Sequence, residues 1–398
     1  MKLRVLDTFA GAGGFSLGFA LAGCDIVGAV EIDEWAAETF AANHRHAKVL
    51  TGDIETMSDD YLKTEFLGRE PDIVLGGPPC QGFSICTKNA GDPGDPRNSL
   101  FKEFIRVGKL FSPSIMVMEN VPNLVNARTD ERQSVIKIIE EELTELGYHV
   151  YWKILEATHY GIPQIRRRLF VIASKSEFTR PFPSSTHAFC ESEQAELIYS
   201  GLKKCPTLWD AISDLPELKA GEGKEVSDYS TKPLNHYQAF LREGSDKLYN
   251  HVAMRHSKRM VERFAAMSWG ESVSDVPLHL RPYVRNGAGK ISDRVYDQNN
   301  RRMYPYRPCH TIPASFYANF VHPFSHRNFT AREGARIQSF TDTYVFKGKP
   351  TVVSHKLLHR EGRLTEKHLC QYNQIGNAVP PLLAKALAEN IIKQVREA

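Results

Sequence analysis

The chain has no run near the roughly 18 apolar residues of a membrane span, so no membrane partner is expected. Its first residues, MKLRVLDTFAGAGG, lack an apolar signal segment and read as a strand entering a glycine turn. The seven cysteines are odd in number and include no Cys-x-x-Cys pair. That argues against a disulfide framework and a structural zinc site, and no metal is expected. A reducing cytoplasm is the expected compartment, and it would keep the thiols free. There is no internal repeat and no low-complexity tract. The glycine turn does not spell G-x-G-x-x-G, which disfavours a nicotinamide dinucleotide.

Excess charge is also scarce overall, with a formal net charge of +3. Its distribution is uneven. Residues 251–310 hold eleven Lys and Arg against five Asp and Glu. A local excess of that kind suggests one face that meets an anion. The 398 residues and 42% hydrophobic content fit a soluble globular protein of about two or three domains.

One cysteine stands apart. Pro71 to Leu75 reads as a short buried strand. Gly76 and Gly77 let the backbone leave it sharply, and Pro78-Pro79 fix two φ angles before Cys80. A lone Cys is most simply a small core residue. A core needs none of those neighbours, so Cys80 reads as a presented thiol.

The segments around it form an α/β pattern. Residues 3–9 read as a first strand, followed by Gly11, Gly13 and Gly14 and a helix. Val27 to Val30 is a second strand ending at Glu31, where an acid can bind two ribose hydroxyls. A third strand leads to Asp53 and Ile54. A glycine turn with carboxylates at two successive strand ends indicates an adenosine-containing cofactor. Ser84 to Ser99, rich in Gly, Pro and Asp, is a candidate lid. Asn98 to Leu110 is predicted helical, and the strand Ser114 to Met118 ends in Glu119, a candidate general acid. Helix 134–147 and strand 151–157 follow. In Gln164 to Arg168, alternation places Gln164, Arg166 and Arg168 on one face and Arg167 on the other.

The character changes near Pro181 to Ser185. Beyond it, Arg281 to Pro308 interleaves Arg with Tyr, Asn and Gln, the side chains that bond phosphates and base edges. Arg285, Arg294, Arg301 and Arg302 are the candidate base readers there. Thr330 to Phe340 reads as a capped helix, and Leu382 to Val395 as a final amphipathic one.

Six ordered blocks carry a resemblance. They are Asp7 to Gly14, Gly77 to Gln81, Met118 to Val121, Gln164 to Arg168, Arg327 to Glu333 and Gln374 to Val379. In order and spacing the chain resembles the bacterial DNA (cytosine-5) methyltransferases along nearly its whole length. The resemblance implies a doubly wound, Rossmann-like α/β domain that uses S-adenosyl-L-methionine. It implies an inserted, smaller and irregular target-recognition domain. The expected division is 1–185 for the first part of the catalytic domain, 186–326 for target recognition, and 327–398 for the return.

The same resemblance implies the chemistry. The Cys80 thiolate attacks carbon 6 of a flipped-out cytosine in double-stranded DNA, and carbon 5 becomes nucleophilic. Glu119 holds or protonates ring nitrogen 3. Arg166 is the donor to the ring carbonyl, with Arg168 supporting it and anchoring Glu119. For the cofactor it implies Phe9, Gly11, Ala12, Gly13, Gly14, Glu31, Ile32, Asp53, Ile54, Pro79, Leu100, Asn377 and Val379. Ile32 departs from the aromatic that many relatives carry, and Phe340-Thr341 replaces a common Phe-Pro. Gln81, Ser84, Arg97 and Thr311 are the implied DNA contacts. A monomer is expected, with a restriction endonuclease as a separately acting partner. The tRNA-acting relative of the family lacks a long variable domain, whereas this chain has roughly 140 residues there. A non-catalytic DNA-binding homologue would be expected to lose Cys80, Glu119 or Arg166, and all three are present.

Overall fold

The computed structural model describes residues 2–79, 100–129, 132–189, 201–284, 289–292, 299–351, 355–362 and 368–397. The chain divides into two compact units. One is Met1–Tyr160, Arg166–Lys203 and Ala378–Ala398, and the other is Gly161–Ile165 and Lys204–Asn377.

The first unit is built on a seven-stranded sheet. Its strands are β1 (Arg4–Thr8), β2 (Asp25–Glu31), β3 (Lys48–Thr51), β4 (Ile73–Gly76), β5 (Ile115–Asn120), β6 (His149–Glu156) and β8 (Arg167–Ser174), in the order β3-β2-β1-β4-β5-β8-β6. The first five pair in parallel, and β8 and β6 are antiparallel additions at one edge. Strands covered on both faces need continuous apolar runs rather than alternation. The Ile-Val-Leu run of β4 and Ile115 to Met118 of β5 meet that need, and all are buried. The short strand β7 (Gln164–Ile165) belongs to the second unit, where it pairs with Cys309–His310.

Helices α1 (Gly14–Leu21), α2 (Glu34–Asn43), α3 (Asp59–Glu65), α4 (Leu100–Phe111) and α5 (Val135–Glu145) connect the strands, and Pro381–Glu397 closes the chain. Asp33 caps α2 by accepting from the Ala36 N–H at 3.0 Å, and Ser58 caps α3 in the same way. The core gathers Leu6, Val30, Val74, Met116 and Val171 from the sheet with Phe104, Ile105, Ile136 and Ile139 from α4 and α5. Among the described residues no helix is long and apolar enough to cross a membrane.

The second unit centres on a seven-residue helix, Ala331–Ile337, with every residue buried. Thr330 and Glu333 form a reciprocal capping box at its start. Three arginines are buried with it. Arg327 makes a two-pronged pair with Glu333 at 2.8 and 2.7 Å. Arg332 donates to the carbonyls of Tyr249, Thr341 and Tyr344. Arg336 lies between Asp214 and Asp342. These bonds join the helix to residues before and after it within the same unit. The second unit thus runs from Lys204 through this helix to Asn377, and the first resumes at Ala378. The reason is the buried charge: once Arg336 is dehydrated its helix stays with Asp214.

Helix α1 packs on the C-terminal helix through Gly18. A Cβ there would lie 2.3 Å from the Ala384 Cβ and 2.5 Å from the Pro381 carbonyl oxygen. Gly18→Ala should therefore lower the thermal midpoint, although alanine favours a helix by roughly 1 kcal/mol. Overpacking costs about 1–3 kcal/mol and outweighs that gain. A midpoint that rises in a melting experiment would contradict this packing.

Candidate active site

The carboxyl ends of parallel strands are where an open α/β sheet places ligands. Beyond β1 the chain turns through Phe9, Gly11 and Gly13, all with positive φ (56°, 55° and 83°). For Phe9 that conformation is costly and needs surrounding contacts to hold it. One contact comes from β2. The Gly11 N–H donates to Glu31 Oε2 at 2.6 Å, and the Asp33 N–H donates to Glu31 Oε1 at 2.9 Å. Glu31 is buried, and burial raises its pKa while those two N–H groups oppose the rise.

A Cβ built on Gly11 meets nothing within 4 Å, so space lies open before the loop. Ile32, next to Glu31 in sequence, is 67% exposed. Asp53 caps a short helical turn by accepting from the Glu55 N–H at 3.0 Å, and Ile54 is buried. The glycine backbone, the two strand-end acids and an exposed apolar side chain suit an adenosine-containing group. Gly14 starts α1, Ala12 and Val379 are buried, and Leu100 is half-buried at the start of α4. Asn377 is exposed at the end of Gln371–Asn377, in the second unit.

Two residues of this region escape sequence reasoning. The His44 ring lies 4.5 Å from Phe40. Burial lowers the His44 pKa to about 4, opposed by a hydrogen bond to the Gly13 backbone. Only the fold brings His44 to that loop. Asp7 lies buried in β1 and accepts from Ser16 Oγ at 2.7 Å. It belonged to a recognised block, but nothing in the sequence gave it a role. Burial raises its pKa to about 7; the Ser16 bond opposes the rise and Glu31 adds to it.

The turn leading to Cys80 is held from both sides. Thr8 Oγ1 donates to the Leu75 carbonyl at 2.9 Å, and Asn120 Nδ2 donates to the Pro78 carbonyl at 3.0 Å. Pro79 is half-buried. A Cβ on Gly77 would lie 3.6 Å from Glu119 Oε2, so the turn passes close over that acid. Glu119 pairs with Arg168 Nε at 2.9 Å. Burial raises the Glu119 pKa, while Arg168 and then Arg166 pull it down. Arg166 is 1% exposed and donates to the Ala378 carbonyl at 3.1 Å. The expected alternation holds, with Gln164 and Arg166 buried, Arg168 half-buried and Arg167 exposed. Cys80, Gln81, Ser84, Arg97, Arg285 and Arg294 lie outside the described residues.

In the second unit Thr311 is exposed, and its hydroxyl donates to the Ile165 carbonyl at 2.6 Å. Arg301 is half-buried. Arg302 departs from the base-reading role expected of it. It is 3% exposed. Its Nη1 donates to the carbonyls of His322, Pro323 and Ser325, and its Nη2 to Phe264. A guanidinium committed to four carbonyls is structural. Arg259, Arg263 and Arg281 likewise donate to carbonyls between Ser274 and Arg281. Much of the basic stretch therefore holds its own loops together.

Asp7 generates a pH test. An ordinary aspartate releases its proton near 3.8, and the folded chain keeps this one to about 7. The protonated acid therefore adds stability at low pH, and that contribution is lost as pH rises from about 4 to 7. Asp7→Asn retains an acceptor for Ser16 and cannot ionise. It should raise the thermal midpoint at pH 8, with a gain that shrinks towards pH 5. A gain that does not change with pH would rule out this titration.

Residues 3–393 match the family model described as C-5 cytosine-specific DNA methylase. The chain is 49% identical over 389 residues to the type II methyltransferase M.DdeI of Desulfomicrobium norvegicum, covering 98% of this chain and 88% of that protein. It is 36% identical over 396 residues to the type II methyltransferase M1.HphI of Haemophilus parahaemolyticus, covering 99% and 87%. A crystal structure described as a DNA modification methyltransferase encoded within an E. coli prophage shares the fold. Its TM-score is 0.73 at 23% identity, with 99% and 100% of the two chains covered. The chain therefore belongs to the C-5 cytosine-specific DNA methylase family.

Proposed function

We propose that the chain methylates carbon 5 of a flipped-out cytosine within a specific double-stranded DNA sequence, through a covalent Cys80 adduct. The observation that carries this reading is the half-buried Glu119–Arg168 pair close to the Gly77-Pro78-Pro79 turn that leads to Cys80.

Carbon 5 of cytosine is a poor nucleophile. The Cys80 thiolate forms a bond to carbon 6, and the displaced electron pair moves through the ring towards nitrogen 3. Glu119 places a proton there. Its raised pKa suits this task, because burial favours the neutral acid while Arg168 fixes the carboxyl's orientation. Arg166 donates to the ring carbonyl. Bound S-adenosyl-L-methionine supplies the electrophilic methyl group that carbon 5 takes. Loss of the carbon 5 proton to a base then lets the carbon–sulfur bond break; Cys80 leaves as thiolate, and Glu119 takes back the nitrogen 3 proton. A stacked cytosine cannot reach such a site, so the base must leave the helix.

The cofactor would be held by Phe9 and the glycine backbone, by Glu31 at the ribose, and by Asp53 with Ile54 at the adenine edge. The names of the relatives support a place in a restriction-modification system. A separately acting endonuclease would be the partner. We further propose a cytoplasmic monomer.

Cys80→Ser should abolish methyl transfer and leave cofactor binding near normal. A duplex with 5-fluorocytosine at the target should trap an adduct at Cys80, because fluorine cannot leave as a proton does. Peptide mapping that finds no adduct, or finds it at Cys86, would overturn the assignment.

Glu31→Ala should weaken cofactor binding and spare DNA binding. A hydrogen bond to a charged acceptor contributes about 1.5–3 kcal/mol, or roughly tenfold to a hundredfold in affinity. Calorimetry showing an unchanged affinity would remove Glu31 from the site.

A further inference from the structure

The second unit carries a cluster of exposed rings that neither the catalytic nor the cofactor residues use. Trp269, Tyr306 and Phe324 are 40%, 63% and 44% exposed. Large apolar rings left open on one surface mark an interaction site. Trp269 meets Tyr306 and Phe324 edge-on, with centroids 5.7 Å away in both cases and interplanar angles of 89°. Neither contact is a parallel stack. Trp209 supports Phe324 from elsewhere, with centroids 4.5 Å apart at 66°. Trp269 Nε1 donates to the Pro323 carbonyl at 3.1 Å, which ties the indole to the residue before Phe324.

Trp269 and Phe324 wall an open pocket of about 420 Å³, with Met267, Ser268, Arg302 and His326 also lining it. That volume falls within the roughly 300–1,000 Å³ of small-molecule sites. Arg302 gives the lining a fixed positive charge, although its Nη groups are bonded to carbonyls and to His326 Nδ1. A carboxylate stands beside the pocket, where Glu271 accepts from the Ser268 N–H at 2.6 Å, but the segment that follows Trp269 in the pocket wall is basic. From Asn299 to Asn328 the chain has four arginines (301, 302, 307 and 327), three histidines and no carboxylate. The Arg307 guanidinium lies 5.2 Å from the centroid of the Tyr304 ring.

Flat apolar rings beside a basic segment suit a flat ring carried on a polyanion. From this juxtaposition we infer that the Trp269–Phe324 pocket receives one unstacked nucleobase of the bound DNA. The inference rests on the reading of double-stranded DNA as substrate, and it adds a second point at which a base leaves the stack. Stacking is tolerant of base identity, because every base has a π face. The pocket would therefore strengthen binding and stabilise distorted DNA more than it reads sequence. The rings are held by their neighbours before DNA arrives, so little ordering cost is added on binding.

The test begins with a DNA fragment in which the native protein methylates cytosine. Failure of that step would sink the DNA reading itself. On the same fragment, Trp269→Ala and Phe324→Ala should each weaken binding roughly fivefold to 100-fold. Trp269→Phe keeps a ring but loses the bond to Pro323, and it should recover most of the affinity. Melting curves would establish that each variant is folded. Independently, native protein irradiated with duplexes carrying 5-iodouracil at successive positions should cross-link at Trp269 or Phe324 from one position near the target. Methylation and DNA affinity unchanged in both alanine variants would overturn the inference and leave the reading intact. Cross-links confined to other residues would do the same, and would mark the rings as a surface for another protein.

Discussion

A carboxyl group taken out of water must be neutral or paired, and the site in the first unit depends on Glu119 standing between those conditions. Burial pushes its proton affinity up, and the Arg168 guanidinium at 2.9 Å pulls it down. The pairing exists because β8 runs antiparallel beside β5, opposing Glu119 to Phe170 and Asn120 to Leu169. The arginines just before those residues thus arrive at the same end of the sheet. The next side chain of β5, Asn120, holds the Pro78 carbonyl. One strand end therefore carries the acid and also fixes the turn that precedes the thiol.

The glycine loop follows a related logic with a different outcome. Backbone N–H groups, not arginines, meet the carboxylate of Glu31. A carboxylate held by backbone donors helps keep Phe9 and Gly11 in left-handed conformations. Asp7 has only the Ser16 hydroxyl as its described side-chain donor, and Glu31 adds like charge, so its proton is kept to about pH 7. Two acids in neighbouring strands thus differ in partners: backbone N–H groups for Glu31 and a hydroxyl for Asp7.

Charge in the second unit has mainly structural work. Arg327, Arg332 and Arg336 are buried and bonded to carboxylates or carbonyls, and Arg302 is bonded to four carbonyls. Guanidiniums suit this role because their five donors spread across a plane. The same geometry makes a poor guide to DNA contact, since an arginine that clamps its own backbone has little left for a base. The cations of the basic stretch divide by burial, not by position in the sequence.

Much of the fold was legible in the chain. Short apolar strands, glycine turns and acids at strand ends announced a doubly wound sheet, because backbone conformation and two-sided burial are local demands. The strand and turn through Pro79 and the alternation through Arg168 were legible for the same reason, and motif order identified the family. What the sequence could not decide were facts of pairing across long separations. The antiparallel insertion of β8 between β5 and β6, the bond from His44 to Gly13 and the retention of Arg336 by Asp214 join residues remote in the chain. Arg301 and Arg302 are neighbours of identical type, yet one is half-buried and the other is 3% exposed. Composition assigned both to an anionic face; only tertiary packing separated them, because dehydration of a guanidinium depends on which carbonyls the fold brings within reach.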